Sequence, residues 1–322
     1  MRFMLIIILF FISNSAFSQT NNDEIGPKAN PFGLEVLKII KDNSLFSDSL
    51  NWRQVSSELA TLQLQKNDSL DKLTILNFFI NKLKVVGDNH SFYSAISKAP
   101  KQARQTNEPE KPESQYLGNG IGIIKVPMFM SPSSEKIKEF ANSIRNQIKK
   151  LDTENDIKGW IVDLRNNDGG NMWPMIAGLN ALFKDGTVGY FVGNKKSNGS
   201  EWNIRNGKIN LSKERVDTYK VKNLDSKIAI LINSNTASSA EMTAVTFIGL
   251  PNARLFGQPS AGYTTANSDF NLSNGWKLYL ATNLIADRNH KVYSNKVIPD
   301  FIVEIDTEVS AAEAWLLGKP RN

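Results

Sequence analysis

Residues 228–232, Ile-Ala-Ile-Leu-Ile, run almost directly into Asn235-Thr236-Ala237-Ser238-Ser239-Ala240-Glu241, and an apolar helical segment follows. A short apolar strand that breaks at a turn and restarts as a helix implies a sheet with one end open, because the first amides of a helix have no partner within it. A serine on that turn carries its hydroxyl at the mouth of the sheet, with neighbouring N–H groups aimed into the same space. Covalent acyl transfer has these requirements. Ser238 also opens a Ser-x-x-Glu pattern, in which the hydroxyl caps the helix and Glu241 reaches back to the cap amide, so spacing alone leaves a capping role open.

The flanking sequence alternates apolar strands with helical segments: strands at 122–126, 159–164 and 188–192, helices near 134–151 and 172–183. This predicts an α/β fold, a mixed sheet with flanking helices. Two hairpins interrupt the alternation, 201–205 with 208–211 across Asn206-Gly207, and 269–272 with 276–280 across Asn274-Gly275. Before residue 90, three amphipathic patterns (Leu34 to Ile40, Trp52 to Leu62, Leu70 to Leu83) predict a small N-terminal helical bundle, with Asn51 and Asp68 capping the second and third helices. A polar, proline-bearing stretch at 97–115 reads as a linker. The expected organisation is a signal peptide at 1–18, the helical unit at 19–96, the linker, and an α/β domain at 116–322.

The signal is read from Arg2, an apolar run at 5–12 and the small residues around Ala16 and Ser18. That run is shorter than the roughly 20 residues a bilayer-spanning helix takes. The chain has no cysteine, so neither thiol lipidation nor a disulfide framework is available, and the expected location is the periplasm or the extracellular space. With 41% hydrophobic and 22% charged residues, the chain has the balance of a globular protein. A net charge of +6, without a basic run interleaved with aromatics, excludes an extended nucleic-acid groove. Two histidines and no thiols argue against a transition-metal site, and no cofactor is expected.

Two further segments carry chemistry. Asp163-Leu164-Arg165-Asn166-Asn167-Asp168-Gly169-Gly170 ends one strand and opens a helix, so paired glycines stand where helix-start amides are free to approach an oxyanion. A histidine is the ordinary base for a serine nucleophile. His90, in Gly87-Asp88-Asn89-His90-Ser91, occupies a polar turn after the third helix, whereas His290 lies in a charged stretch and reads as solvated.

Together with Gly257-Gln258-Pro259-Ser260-Ala261-Gly262 and Val297-Ile298-Pro299-Asp300, these motifs resemble in order and spacing the C-terminal processing, or tail-specific, serine proteases. The Gly87–Ser91 turn resembles the branch containing the tricorn core and interphotoreceptor retinoid-binding protein. The resemblance implies a ClpP/crotonase-like core and a peptide or unfolded-protein substrate. It implies Ser238 as nucleophile, with Ser239 and either Gly169 or Gly170 as oxyanion donors. The lysine-using branch has its base where this chain has Tyr263, which leaves His90. The glutamate that orients the histidine in the tricorn-like branch corresponds to Tyr293, and Asp287 is the nearest acid for that role. The interval from Ser91 to Gln115 is too short for the PDZ domain of many relatives. Two other functions stay open on these residues: a non-catalytic peptide or hydrophobic-ligand receptor, and an esterase for small acyl groups.

Overall fold

The computed structural model describes residues 30–94, 110–193 and 199–319. The expected signal peptide and most of the expected linker lie outside them. Helix α1 (Pro31–Asn43) starts on a proline, which needs no amide partner there, under an Asn30 side chain that accepts the Phe32 N–H. In α2 (Trp52–Ala60) Asn51 caps Gln54 as expected. Asn67, not Asp68, caps α3 (Asp68–Val85), accepting the Leu70 N–H at 3.2 Å. Asp68 is the first helical residue instead, where its charge favours the helix start and pairs with Lys72 one turn on. Strand β1 (Phe92–Ser94) follows the His90 turn.

The rest of the chain builds β2 (Glu113–Gly118), β3 (Ile121–Lys125), α4 (Ser134–Glu154), β4 (Gly159–Asp163), α5 (Met172–Leu179), β5 (Gly186–Gly193), β6 (Ser200–Arg205) and β7 (Lys208–Ile209). Then come β8 (Lys227–Ile232), α6 (Ser239–Val245), β9 (Ala253–Gly257), β10 (Thr265–Asn271), β11 (Lys277–Ala286), β12 (Val292–Tyr293), β13 (Phe301–Ile302) and α7 (Glu308–Leu316). The α/β class holds, but the strands divide between two sheets. One is largely parallel, in the order β13-β9-β8-β4-β3-β2; the other is antiparallel, β1-β11-β5-β6-β7, with β10 and β12 also on β11. Strand β2 begins at Glu113, inside the stretch read as linker.

Alternation along β8 explains the layering. Ile228, Ile230 and Ile232 face the core beneath α4, α5 and α6, while Ala229 and Leu231 pack with Phe256 and with Ala312 of α7 on the other face. The N-terminal helices share their core with the β10–β11 hairpin: Phe32, Val36, Ile40, Ile75 and Phe79 cluster with Leu272, Leu278 and Leu280. The Leu45 N–H donates to the Ala281 carbonyl, and the Ala281 N–H to Ser91 Oγ. Pairing the bundle with a hairpin from late in the chain carries the His90 turn to the open end of the parallel sheet.

Candidate active site

Strands β3, β4, β8 and β9 are parallel, so their C-terminal ends emerge at one edge, the usual ligand side of an open α/β sheet. After β4, the Arg165 guanidinium is held between Asp163 and Glu308 and so serves to fix the strand end against α7. Asn167, fully buried, donates to the Val126 carbonyl and accepts the Gly169 N–H at 2.9 Å. Gly169 and Gly170 have φ of +111° and +104°, the left-handed region that suits glycine. A methyl on Gly170 would collide with the Phe129 carbonyl, and one on Gly169 would lie 2.9 Å from Ser238 Cβ. The glycine turn is packed directly against the serine turn.

After β8, Thr236 Oγ donates to the Leu164 carbonyl and accepts the Asn233 N–H, locking the loop over β4. Ser238 then adopts φ +52°, ψ −118°, a conformation rare for a residue with a side chain. Its N–H is held by Glu241 Oε2 at 2.7 Å, the reach-back half of the capping pattern. Glu241 is fully buried and does more than cap: Oε2 also accepts the Tyr263 N–H, and Oε1 accepts the Gly262 N–H and the Ser260 hydroxyl. Burial pushes this carboxyl above its ordinary range, against the pull of those four hydrogen bonds. Ser239 Oγ donates to the Gly170 carbonyl at 2.6 Å, tying the two turns together.

His90 reaches this edge on a turn organised by Asp88, whose buried carboxylate accepts the His90 N–H, the Ser91 N–H and the Ser91 hydroxyl. Asn267 of β10 donates to the His90 carbonyl, and the ring Nδ1 lies 2.9 Å from Thr265 Oγ. The ring sits 5.3 Å from that of Tyr263. Burial lowers the His90 pKa from its ordinary value, with a hydrogen bond to the Thr265 backbone and the Asp88 charge opposing. His290 is exposed, stacked on Tyr190.

Ser238, Ser239, Gly170 and His90 line one cavity of about 720 Å³, within the usual range for a small-ligand or peptide-binding cleft. Met172, Trp173, Phe191 and Met242 supply apolar lining, and Lys84 and Asp168 contribute charges. The profile of peptidase family S41 matches residues 120–303. The chain belongs to peptidase family S41. It is 32% identical over 296 residues to the nisin-resistance protein of Lactococcus lactis subsp. lactis, covering 91% of this chain and 88% of that one. The carboxy-terminal processing protease CtpA of Bacillus subtilis is 31% identical over 186 residues, 57% of this chain and 35% of that protein. Among solved structures, a lipoprotein from Streptococcus agalactiae superposes with a TM-score of 0.74 at 30% identity, over 92% of this chain and 98% of that one.

The geometry narrows one expectation for this S41 peptidase and corrects another. The Gly169 amide donates to Asn167 Oδ1, and of the two glycines it is Gly170 that lines the cavity, as does Ser239, the first residue of α6. Asp287 does not reach His90. It is buried at the β11–β12 turn, where its carboxylate accepts the Asn289 and Lys291 N–H groups and the Tyr293 hydroxyl. Thr265 meets the imidazole instead, and no spacing signal marks it, since the contact exists only once β10 is paired with β11. Among the described residues, no group of three or more His, Asp or Glu side chains has the arrangement of a metal site.

Proposed function

We propose that this S41 peptidase is an exported serine peptidase in which Ser238 is the nucleophile and His90 the general base. The observation that carries the reading is the shared cavity: the strained serine turn, the Gly170 and Ser239 amides and the only cavity-lining histidine meet there, although His90 arrives from a different part of the chain. With Nδ1 engaged by Thr265, Nε2 is the ring nitrogen left for the serine proton. Ser238 Oγ attacks the peptide carbonyl carbon as its proton passes to His90. The oxyanion is held by the Gly170 and Ser239 N–H groups. The imidazolium then protonates the leaving amine, and water, deprotonated by the same imidazole, releases the acyl group and restores the serine. The segment 1–18 would be the export signal, cleaved before Gln19.

A fluorophosphonate probe tests the nucleophile. The protein is expected to label at one site, with labelling lost in Ser238→Ala; an unlabelled wild-type protein that still binds peptides would favour the receptor reading. Nisin, chosen because of the named relative, and casein serve as substrates. The lowered His90 pKa sets the pH response. The base works only when neutral, and it stays neutral as pH falls through the ordinary histidine value near 6.5. The acid limb of kcat/KM is therefore expected below pH 6.5, and a limb centred above that value would contradict a buried imidazole as the base.

A further inference from the structure

We propose that Thr265 is the positioning residue for His90, accepting its Nδ1–H so that the neutral ring carries its lone pair on Nε2. The inference rests on the Ser238–His90 reading and goes beyond it, because it assigns the orienting role to a neutral hydroxyl. The geometry is specific. Thr265 Oγ lies 2.9 Å from Nδ1, and the residue is 8% exposed at the first position of β10, paired with Leu284 of β11. Two residues on, after a register shift between Ala266 and Asn267, the Asn267 amide holds the His90 carbonyl. One strand start therefore grips the histidine by its ring and by its backbone, while Asp88 holds its N–H.

The direction of the hydrogen bond decides the chemistry. If the hydroxyl donated to Nδ1, the ring proton would sit on Nε2 and the imidazole could not accept from Ser238. A threonine that accepts fixes the working tautomer as an acidic partner would. It does not supply the negative charge that steadies the imidazolium, so the residue trades part of the electrostatic help of a triad for a base that stays neutral in mild acid. The other ionisable groups around the ring are Asp88 on its own turn and, lining the same cavity, Tyr263 on the loop after β9, Tyr279 on β11, Lys84 on α3 and Asp168 after β4. Each is present in every variant below, so differences among those variants report on position 265.

The test has two parts on the full chain. In the first, nitrogen-15 NMR of the His290→Gln protein, which leaves His90 as its one histidine, reads the tautomer directly; a proton on Nδ1 is expected, and one on Nε2 would overturn the proposal without any change in folding. In the second, Thr265→Val, Thr265→Ser and Thr265→Asp are compared on one peptide. Valine is expected to lower kcat/KM about 10- to 100-fold, by analogy with the loss seen when a hydrogen-bond partner that orients a metal-bound imidazole is removed. Serine is expected to stay within a few-fold of wild type. Aspartate is expected to move the acid limb to higher pH, a shift that a purely structural role would not produce. Full activity in Thr265→Val with an unchanged tautomer would remove Thr265 from the mechanism while leaving Ser238 and His90 in place. Full activity in Ser238→Ala would instead remove the reading on which the proposal stands.

Discussion

Ser238→Ala is expected to lower kcat on an unstructured peptide by about 10⁴- to 10⁶-fold with little change in KM, because in the proposed mechanism the hydroxyl that would form the acyl intermediate is gone while the cavity proposed to bind the chain is intact. His90→Ala should fall in the same range. The two residues act as one unit, since the serine is a weak nucleophile until its proton has somewhere to go, so the double variant is expected to be no slower than either single one. Residual turnover would come from the Gly170 and Ser239 amides, which sit on backbone that neither substitution touches. Single-turnover and steady-state rates on casein-derived and nisin substrates measure this. Additive losses in the double variant would mean that the groups serve separate steps. Wild-type rates in either single variant would take that residue out of the reaction.

The half of the site built from the parallel sheet was legible because its residues are local to strand ends. An apolar strand followed by Asn235 to Glu241, and another followed by the Gly169–Gly170 turn, each announce a helix start at the open end of a sheet. Pairing β4 with β8 then brings the two turns together without further instruction. The choice between the glycines was not legible, because it depends on the Asn167 side chain folding back onto the Gly169 amide. The helical half was legible as helices and hairpins, but not as a shared core. Leu278 and Leu280 alternate on β11 in the same way whether they face helices or a second sheet. The partner of His90 was hidden for the same reason: Thr265 is set by the register of β10 on β11, whereas Asp287 was chosen for its charge and its nearness to Tyr293 in sequence. Asp287 and Tyr293 do meet, by closing their own turn rather than serving the histidine.

Glu241 explains why the serine turn keeps its strained conformation, and it carries the second large effect. Each of its carboxylate oxygens accepts two donors: Oε2 from the Ser238 and Tyr263 amides, Oε1 from the Gly262 amide and the Ser260 hydroxyl, which in turn accepts the Val297 N–H. Three loop segments are thus joined through one fully buried group. Glu241→Ala leaves four donors without their acceptor, the Ser260 hydroxyl buried and the three amides partly so, each costing up to about 1–3 kcal/mol before the loops relax and admit water. A net loss of about 3–5 kcal/mol is expected, less than the sum because the loops relax and the desolvated carboxylate is itself removed. In a domain of this size that lowers the melting temperature by roughly 10 °C. Glu241→Gln should be little better. Whichever way the amide is turned, its NH₂ replaces an oxygen that two donors already face, so the conservative change creates donor–donor opposition that alanine avoids. Thermal melts of the three proteins give the stability, and fluorophosphonate labelling well below the melting temperature reports on the serine turn. Labelling should slow in both variants, because the Ser238 amide has lost the acceptor that holds its positive φ. A glutamine variant within about 1 kcal/mol of wild type, labelling at the wild-type rate, would mean that the β8–α6 turn holds its shape without the carboxylate.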